Sequence, residues 1–272
     1  MVRVNQFIAL GAILALSLLT AHTAFAGPAG SSGDSLNVVG QVGGGTNSNV
    51  WVTDPNGGGA NLNEYTYQLF GPEDADYRFC ASWDGGAQVP VAIKNFGDTF
   101  VWWSKYDGST TEARYFGNSA TDIPTVMDAN GDGSDEIVVV RDEGPGGMHW
   151  YVRNDVDTPT SFVDNDFGFG PTGTTPAPGN WDTQLGGDEP GVTKATPSGK
   201  LWITQTTAGA SYTLFGGAGD QNLAYTDNGQ TRPGVAQKVS LSNVLDFNTE
   251  TGQDRLLMGS ADTTTPVGNC NL

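Results

Sequence analysis

The segment DANGDGSDE, Asp128 to Glu136, places oxygen-bearing side chains at alternate positions of a short loop. Asp128, Asn130 and Asp132 stand at positions 1, 3 and 5, Gly133 permits the bend, Ser134 offers its backbone carbonyl, and Glu136 stands at position 9. Oxygen donors at this spacing suit a hard cation, and calcium tolerates such mixed carboxylate, amide and carbonyl shells. The loop is not an EF-hand, because its position 12 is the apolar Val139 and no helical pattern flanks it. An Asx-rich turn without an ion is the plain alternative, since Asp, Asn and Gly dominate turns. Three similar loops begin at Asp84, Asp182 and Asp227 but lack acids at positions 3 and 5, so one calcium site is expected. Its strength is expected in the extracellular range, on the order of 10⁻⁴ to 10⁻³ M, and its role is to rigidify the loop.

Other chemistry is sparse. His149 is the one histidine beyond the N-terminal segment, and beside Trp150 it reads as a strand residue on a sheet face. There is no GxSxG, HExxH or GxxxxGK[ST] pattern and no Cys/His cluster with zinc spacing. The glycine runs Gly43 to Gly45 and Gly57 to Gly59 read as turns. The sequence leans away from an enzyme. With 30 acids, however, a carboxylate pair of the glycosidase or lyase kind would leave no visible signature.

The elements that must carry the loop form a repeat. Phe70-Gly71, Phe116-Gly117, Phe169-Gly170, Phe215-Gly216 and the degenerate Met258-Gly259 close strand-like runs, with glycines 46, 53, 46 and 43 residues apart. A β-run precedes each pair, centred on Trp51, Trp102 with Trp103, Trp150, Trp202 and, in the fifth unit, Leu245. A further series runs from Trp83, Met127, Trp181 and Thr226. A period of 40 to 50 residues rich in strand formers implies an all-β repeat architecture, a five-bladed β-propeller with four-stranded antiparallel blades. The tryptophans are then expected to pack between blades.

Strand boundaries follow unit by unit. The third unit reads as Ile123 to Met127, Asp135 to Arg141, Met148 to Asn154 and Ser161 to Phe169. The fourth opens with Thr175 to Trp181. The first unit has only three strands, Leu36 to Gln41, Ser48 to Asp54 and Glu64 to Phe70. The C-terminal segment Val267 to Leu272 is expected to supply the missing inner strand, closing the ring and removing an exposed edge. In that register Cys80 and Cys270 lie on neighbouring inner strands, and a disulfide between them is expected. Enclosing nearly the whole chain, it would stabilise by roughly 3 to 5 kcal/mol.

Residues 1 to 26 read as a secretory signal: Arg3, an apolar run from Phe7 to Leu19, and a small-x-small cleavage motif at Ala24 to Ala26. Residues 27 to 35 form a flexible lead-in, and 36 to 272 a single propeller domain. The protein is expected to be secreted or periplasmic after cleavage near Ala26, with no membrane span in the mature chain. The full chain has 12 Lys and Arg against 30 Asp and Glu, a net charge of −18. Such a surface repels nucleic acid and anionic lipid and invites divalent cations.

The alternation of a Phe-Gly pair, an inner strand, an Asp/Gly-rich loop and a strand such as EIVVV resembles FG-GAP/VCBS-type repeats. These build the propellers of integrin α chains and of many secreted bacterial proteins. The DANGDGSDE spacing is similar to the family's calcium loop, with Glu136 where Asp is usual. The repeat scaffold, the export signal, the single metal loop and the lack of catalytic side chains lead to the expectation of a secreted, calcium-stabilised module that binds an extracellular protein or a polysaccharide, with Trp103 and Tyr106 as aromatics that could stack on a sugar. A polysaccharide lyase or hydrolase with acids at a channel mouth is the second expectation, and a purely structural extracellular module the third.

Overall fold

The computed structural model describes residues 36–41, 48–54, 66–72, 74–86, 88–106, 110–154, 163–227, 230–239, 242–249, 252–260 and 264–269. The signal segment and lead-in expected over residues 1 to 35 lie outside these. The described chain is all-β, built of twenty strands and one 3-10 turn at Gly144–Gly146.

The strands form five antiparallel four-stranded sheets in series. The first contains β1 (Leu36–Gln41), β2 (Ser48–Asp54) and β3 (Thr66–Pro72). The second contains β4 (Tyr77–Ala81), β5 (Val89–Phe96), β6 (Thr99–Ser104) and β7 (Glu112–Asn118). The third contains β8 (Asp122–Met127), β9 (Glu136–Asp142), β10 (Met148–Arg153) and β11 (Asn165–Gly168). The fourth contains β12 (Thr175–Pro176), β13 (Gly191–Thr196), β14 (Gly199–Thr206) and β15 (Gly209–Leu214). The fifth contains β16 (Gln221–Asp227), β17 (Gln230–Val239), β18 (Ser242–Thr249) and β19 (Gly252–Ser260).

The last strand, β20 (Thr264–Asn269), returns to the first sheet and pairs antiparallel with β1, from Leu36 opposite Asn269 to Gly40 opposite Thr264. It begins three residues before the expected Val267, and residues 270 to 272 lie outside the described set. The fourth sheet departs more. The strand expected over Thr175 to Trp181 pairs only at Thr175 and Pro176, followed by a single bridge from Gly179 to Glu189. Backbone bonds still continue past both prolines, from Ala177 N to the Gly191 carbonyl at 2.7 Å and from Gly179 N to the Glu189 carbonyl at 3.1 Å, because Pro176 and Pro178 take the alternate positions of this edge strand, where no N–H is needed. No sheet closes on itself into a barrel.

Each sheet packs on the next. Strands β3 and β20 lie against β5 and β4 of the second sheet, β4 against β8, β8 against β12, and β16 of the fifth sheet against β20. Fourth and fifth meet where Trp181, Trp202 and Phe215 enclose Val235. After Glu136 the run Ile137 to Val140 is apolar throughout because both its faces are covered: Ile137 and Val139 pack toward Phe100 and Trp102, Val138 and Val140 toward Val192.

The two sequence repeats prove to be one device. Trp102, Trp150 and Trp202 are fully buried. Each indole N–H donates to the carbonyl of the phenylalanine in its own unit's Phe-Gly pair: Phe116 at 3.0 Å, Phe169 at 2.9 Å and Phe215 at 3.1 Å. The glycine after it turns away with positive φ, 88° at Gly117, 99° at Gly170 and 87° at Gly216. Each of these glycines abuts a valine of the following sheet, Val139, Val192 and Val235. A tryptophan thus fixes the end of its sheet's outer strand, and that end seats against the core of the next sheet.

Candidate metal centre

The acidic loop joins β8 to β9. Met127 pairs with Glu136 across its base, so residues 128 to 135 form the loop proper. Its side chains organise its own backbone. Asp128 Oδ1 accepts the amides of Gly131 at 2.7 Å and Asp132 at 3.1 Å, and its Oδ2 accepts the amide of Gly133 at 3.0 Å. Asn130 Oδ1 accepts Asp132 N at 2.8 Å, and Asp132 Oδ1 accepts Ser134 N at 2.8 Å. These nested Asx turns orient the oxygens at positions 1, 3 and 5 before any ion arrives. Gly131 and Gly133, with φ of 78° and 90°, make the winding possible. The Ser134 and Asn130 bonds hold the Asp132 carboxyl below the usual carboxylate range.

Glu136 has another task. It is 2 % exposed. Its Oε2 accepts the Ala129 amide at 2.7 Å and its Oε1 accepts Asn130 Nδ2 at 2.9 Å. Burial pushes its pKa up to about 7. It anchors the loop from beneath, where sequence spacing had placed it in the ligand shell. Among the described residues, no three His, Cys, Asp or Glu side chains converge at metal-ligating spacing. The oxygens that could hold a hard cation here are the side-chain oxygens of Asp128, Asn130 and Asp132 with the Ser134 carbonyl, a mixed carboxylate, amide and carbonyl set of the kind calcium accepts.

The loops before and after do not align as their Trp-Asp pairs suggest. Met127 at the base corresponds to Ala81, which pairs with Val89, and to Gly179, which bridges to Glu189. Asp84 and Asp182 therefore occupy the place of Asn130. The place of Asp128 is taken by Ser82 and Asn180. The expectation that the loops at Asp84 and Asp182 keep the first carboxylate is thus corrected; of these three loops, the third unit's has acids at positions 1 and 5. Asp182 instead binds the amide and hydroxyl of Thr207, at 2.8 and 2.7 Å.

Tyr106 does not serve as an open stacking platform. It is 5 % exposed, its ring lies 4.9 Å from that of Trp83, and the Arg114 guanidinium sits 4.7 Å from its centroid. Trp103 is half-buried against the core group of Phe70, Ala75 and Ala92. Cys80 lies on β4, partly buried in the same group. Cys270 falls outside the described residues, directly after β20, a strand that touches β4.

One polar cluster has no counterpart in the sequence reasoning. His149 Nε2 is 2.7 Å from Asp166 Oδ2, and its ring is 4.9 Å from that of Tyr151. The Tyr151 hydroxyl donates to Glu143 Oε1 at 2.7 Å. Arg141 lies 5.0 Å from the Tyr151 centroid and is bound to Asp122 through Nε at 2.7 Å and Nη2 at 3.1 Å. Arg141 stands opposite His149 in the β9–β10 register. Strand alternation put His149 and Tyr151 on one face, but only the pairing of strands brings Arg141, Asp122 and Asp166 to them.

The sequence matches no protein-family model and no curated protein. No helix among the described residues is long and apolar enough to cross a membrane. By its own structure the chain is an all-β protein of five antiparallel four-stranded sheets, with an acidic, self-ordered loop on the third.

Proposed function

We propose that the chain is a secreted, calcium-stabilised five-bladed β-propeller of FG-GAP/VCBS type that binds an extracellular protein or glycan. The observation that carries the reading is the cycle of sheet contacts. Each sheet meets its successor, and the strand Thr264–Asn269 belongs to the first sheet while touching the fifth and the second. Such a ring is a rigid scaffold whose loops are free to vary and recognise. Calcium adds rigidity at the third blade through Asp128, Asn130, Asp132 and the Ser134 carbonyl. Calorimetry with the purified protein is expected to show one calcium site, abolished by Asp132→Ala and retained by Asp84→Ala. A glycan array and pull-downs from extracellular extracts test the recognition role. Blank results in both, from folded calcium-loaded protein, would sink it.

The second reading, an enzyme acting on polysaccharide, is favoured by the His149–Asp166 and Tyr151–Glu143 pairs beside Arg141. An imidazole and a phenol are proton-transfer groups, and a guanidinium binds a sugar carboxylate. Product release from uronate polymers by the wild type, lost in both His149→Ala and Tyr151→Phe, would move the assignment to this cluster.

A further inference from the structure

The junctions on either side of the acidic loop share a two-point clamp. Asp188, on the fourth sheet, donates its amide to the Asp128 carbonyl at 2.7 Å, and its Oδ2 accepts the Asp128 amide at 3.2 Å. Asp135, at the other end of the loop, does the same to Ser82 of the second sheet. Its amide donates to the Ser82 carbonyl at 2.6 Å, and its Oδ2 accepts the Ser82 amide at 2.6 Å. At the next junction Thr231 donates its amide to the Asn180 carbonyl at 2.6 Å, but threonine has no carboxylate to return the second bond.

We infer that Asp188 is a positioning residue for the cation loop, and that cation binding at Asp128 tightens three consecutive sheets together. This rests on the calcium reading above. The main chain of Asp128 determines where its two carboxylate oxygens lie, and Asp188 holds that main chain at both its N–H and its C=O. The neighbouring backbone forms a wall behind it. At Gly187, φ is 87°, and a Cβ would stand 2.7 Å from the Asp128 oxygen and 2.8 Å from the Gly131 Cα. At Gly131 a Cβ would stand 3.0 Å from the Gly186 oxygen. No side chain fits between the two loops. On the other side, a Cβ at Gly85 would reach the Gly133 oxygen at 3.5 Å. The loop is thus tied to residues 186 to 188 by the Asp188 bonds and close backbone approach, and to Ser82 by the two Asp135 bonds. An ion that orders it must order them as well.

Hydrogen exchange read by mass spectrometry, with calorimetry, tests this on the full chain with and without millimolar calcium at constant ionic strength. In the wild type, calcium should slow exchange in peptides covering Ser82 and residues 186 to 188 as well as 128 to 136. Asp188→Ala should weaken calcium binding by about ten- to a hundredfold, as loss of an outer-shell partner does, and should lose the protection at 186 to 188. Asp188→Asn, which keeps an oxygen acceptor, should restore most of both. Wild-type protection confined to 128 to 136 would overturn the inference whether or not Asp188→Ala folds. So would wild-type affinity in a folded Asp188→Ala. Absence of calcium binding in the wild type would instead reject the calcium reading itself, and this inference with it.

Discussion

Gly170 packs its α-carbon against the side chain of Val192, one sheet further on, so closely that a Cβ at Gly170 would stand 2.8 and 2.9 Å from the two valine methyls. The residue before it, Phe169, holds the Trp150 indole through its carbonyl at 2.9 Å. The Phe-Gly pair is thus a joint: phenylalanine ties the outer strand to its own sheet, and glycine lets the next sheet come near.

Gly170→Ala should accordingly be costly. Its φ of 99° brings strain of about 1–2 kcal/mol for a residue with a Cβ, and overpacking against Val192 adds about 1–3 kcal/mol. Gly173→Ala is the control, with φ of 70° and nothing within 4 Å of an added Cβ. Chemical denaturation should show the first variant well below the second, and Val192→Ala in the Gly170→Ala background should recover part of the loss. Equal losses in the two single variants would contradict the joint.

Trp150→Phe tests the other half. It removes the indole donor from the half-buried Phe169 carbonyl, which costs about 0.5–1.5 kcal/mol, and it removes ring area from the core. Thermal unfolding should show this loss, and stability within error of the wild type would show that the indole bond contributes nothing.

Without calcium, stability should fall as pH rises from about 4 to about 7. Burial raises the pKa of Asp135 and Glu136 to about 7 and of Asp188 to about 6. A carboxyl whose folded pKa is raised favours folding while protonated, and loses that contribution as pH climbs through the folded pKa. Asp142 and Asp182 are held below the usual range by backbone and Thr hydrogen bonds, so their contribution disappears only in stronger acid. Melting temperature in chelator should be higher at pH 5 than at pH 7.5, and calcium should narrow the difference. A chelated protein that melts higher at pH 7.5 would contradict this.

The repeat was legible because a single indole–carbonyl bond locks both of its markers at fixed strand positions. Strand limits followed within a few residues where turns were short, as at Met148–Arg153. The loop alignment was not legible. Seven residues lie between the paired Ala81 and Val89, eight between Met127 and Glu136, and nine between Gly179 and Glu189, so aligning the Trp-Asp pairs slips the register. Tyr106 looked exposed in a polar turn, yet Trp83 and Arg114 of the folded sheet cover it. Spacing placed Glu136 at position 9 of the ligand set, while the fold buries it and bonds it to the Ala129 amide and the Asn130 side chain.

Cys80 and Cys270 should be joined. The end of β20 lies on the strand that touches β4, where Cys80 sits. Intact mass should rise by two hydrogens on reduction, and a non-reducing digest should release the two cysteine peptides linked. An unchanged mass, or linkage only between separate chains, would contradict the pairing.

The proposed ring is tested most directly by removing the strand that pairs with β1. A chain ending after Ser260 leaves the β1 edge without the partner it has in β20. It should aggregate or lose cooperative unfolding, and a synthetic peptide spanning residues 262 to 272 should restore a monomeric, cooperative transition. A truncated chain that is monomeric and melts at the wild-type temperature without the peptide would contradict closure by the C-terminal strand.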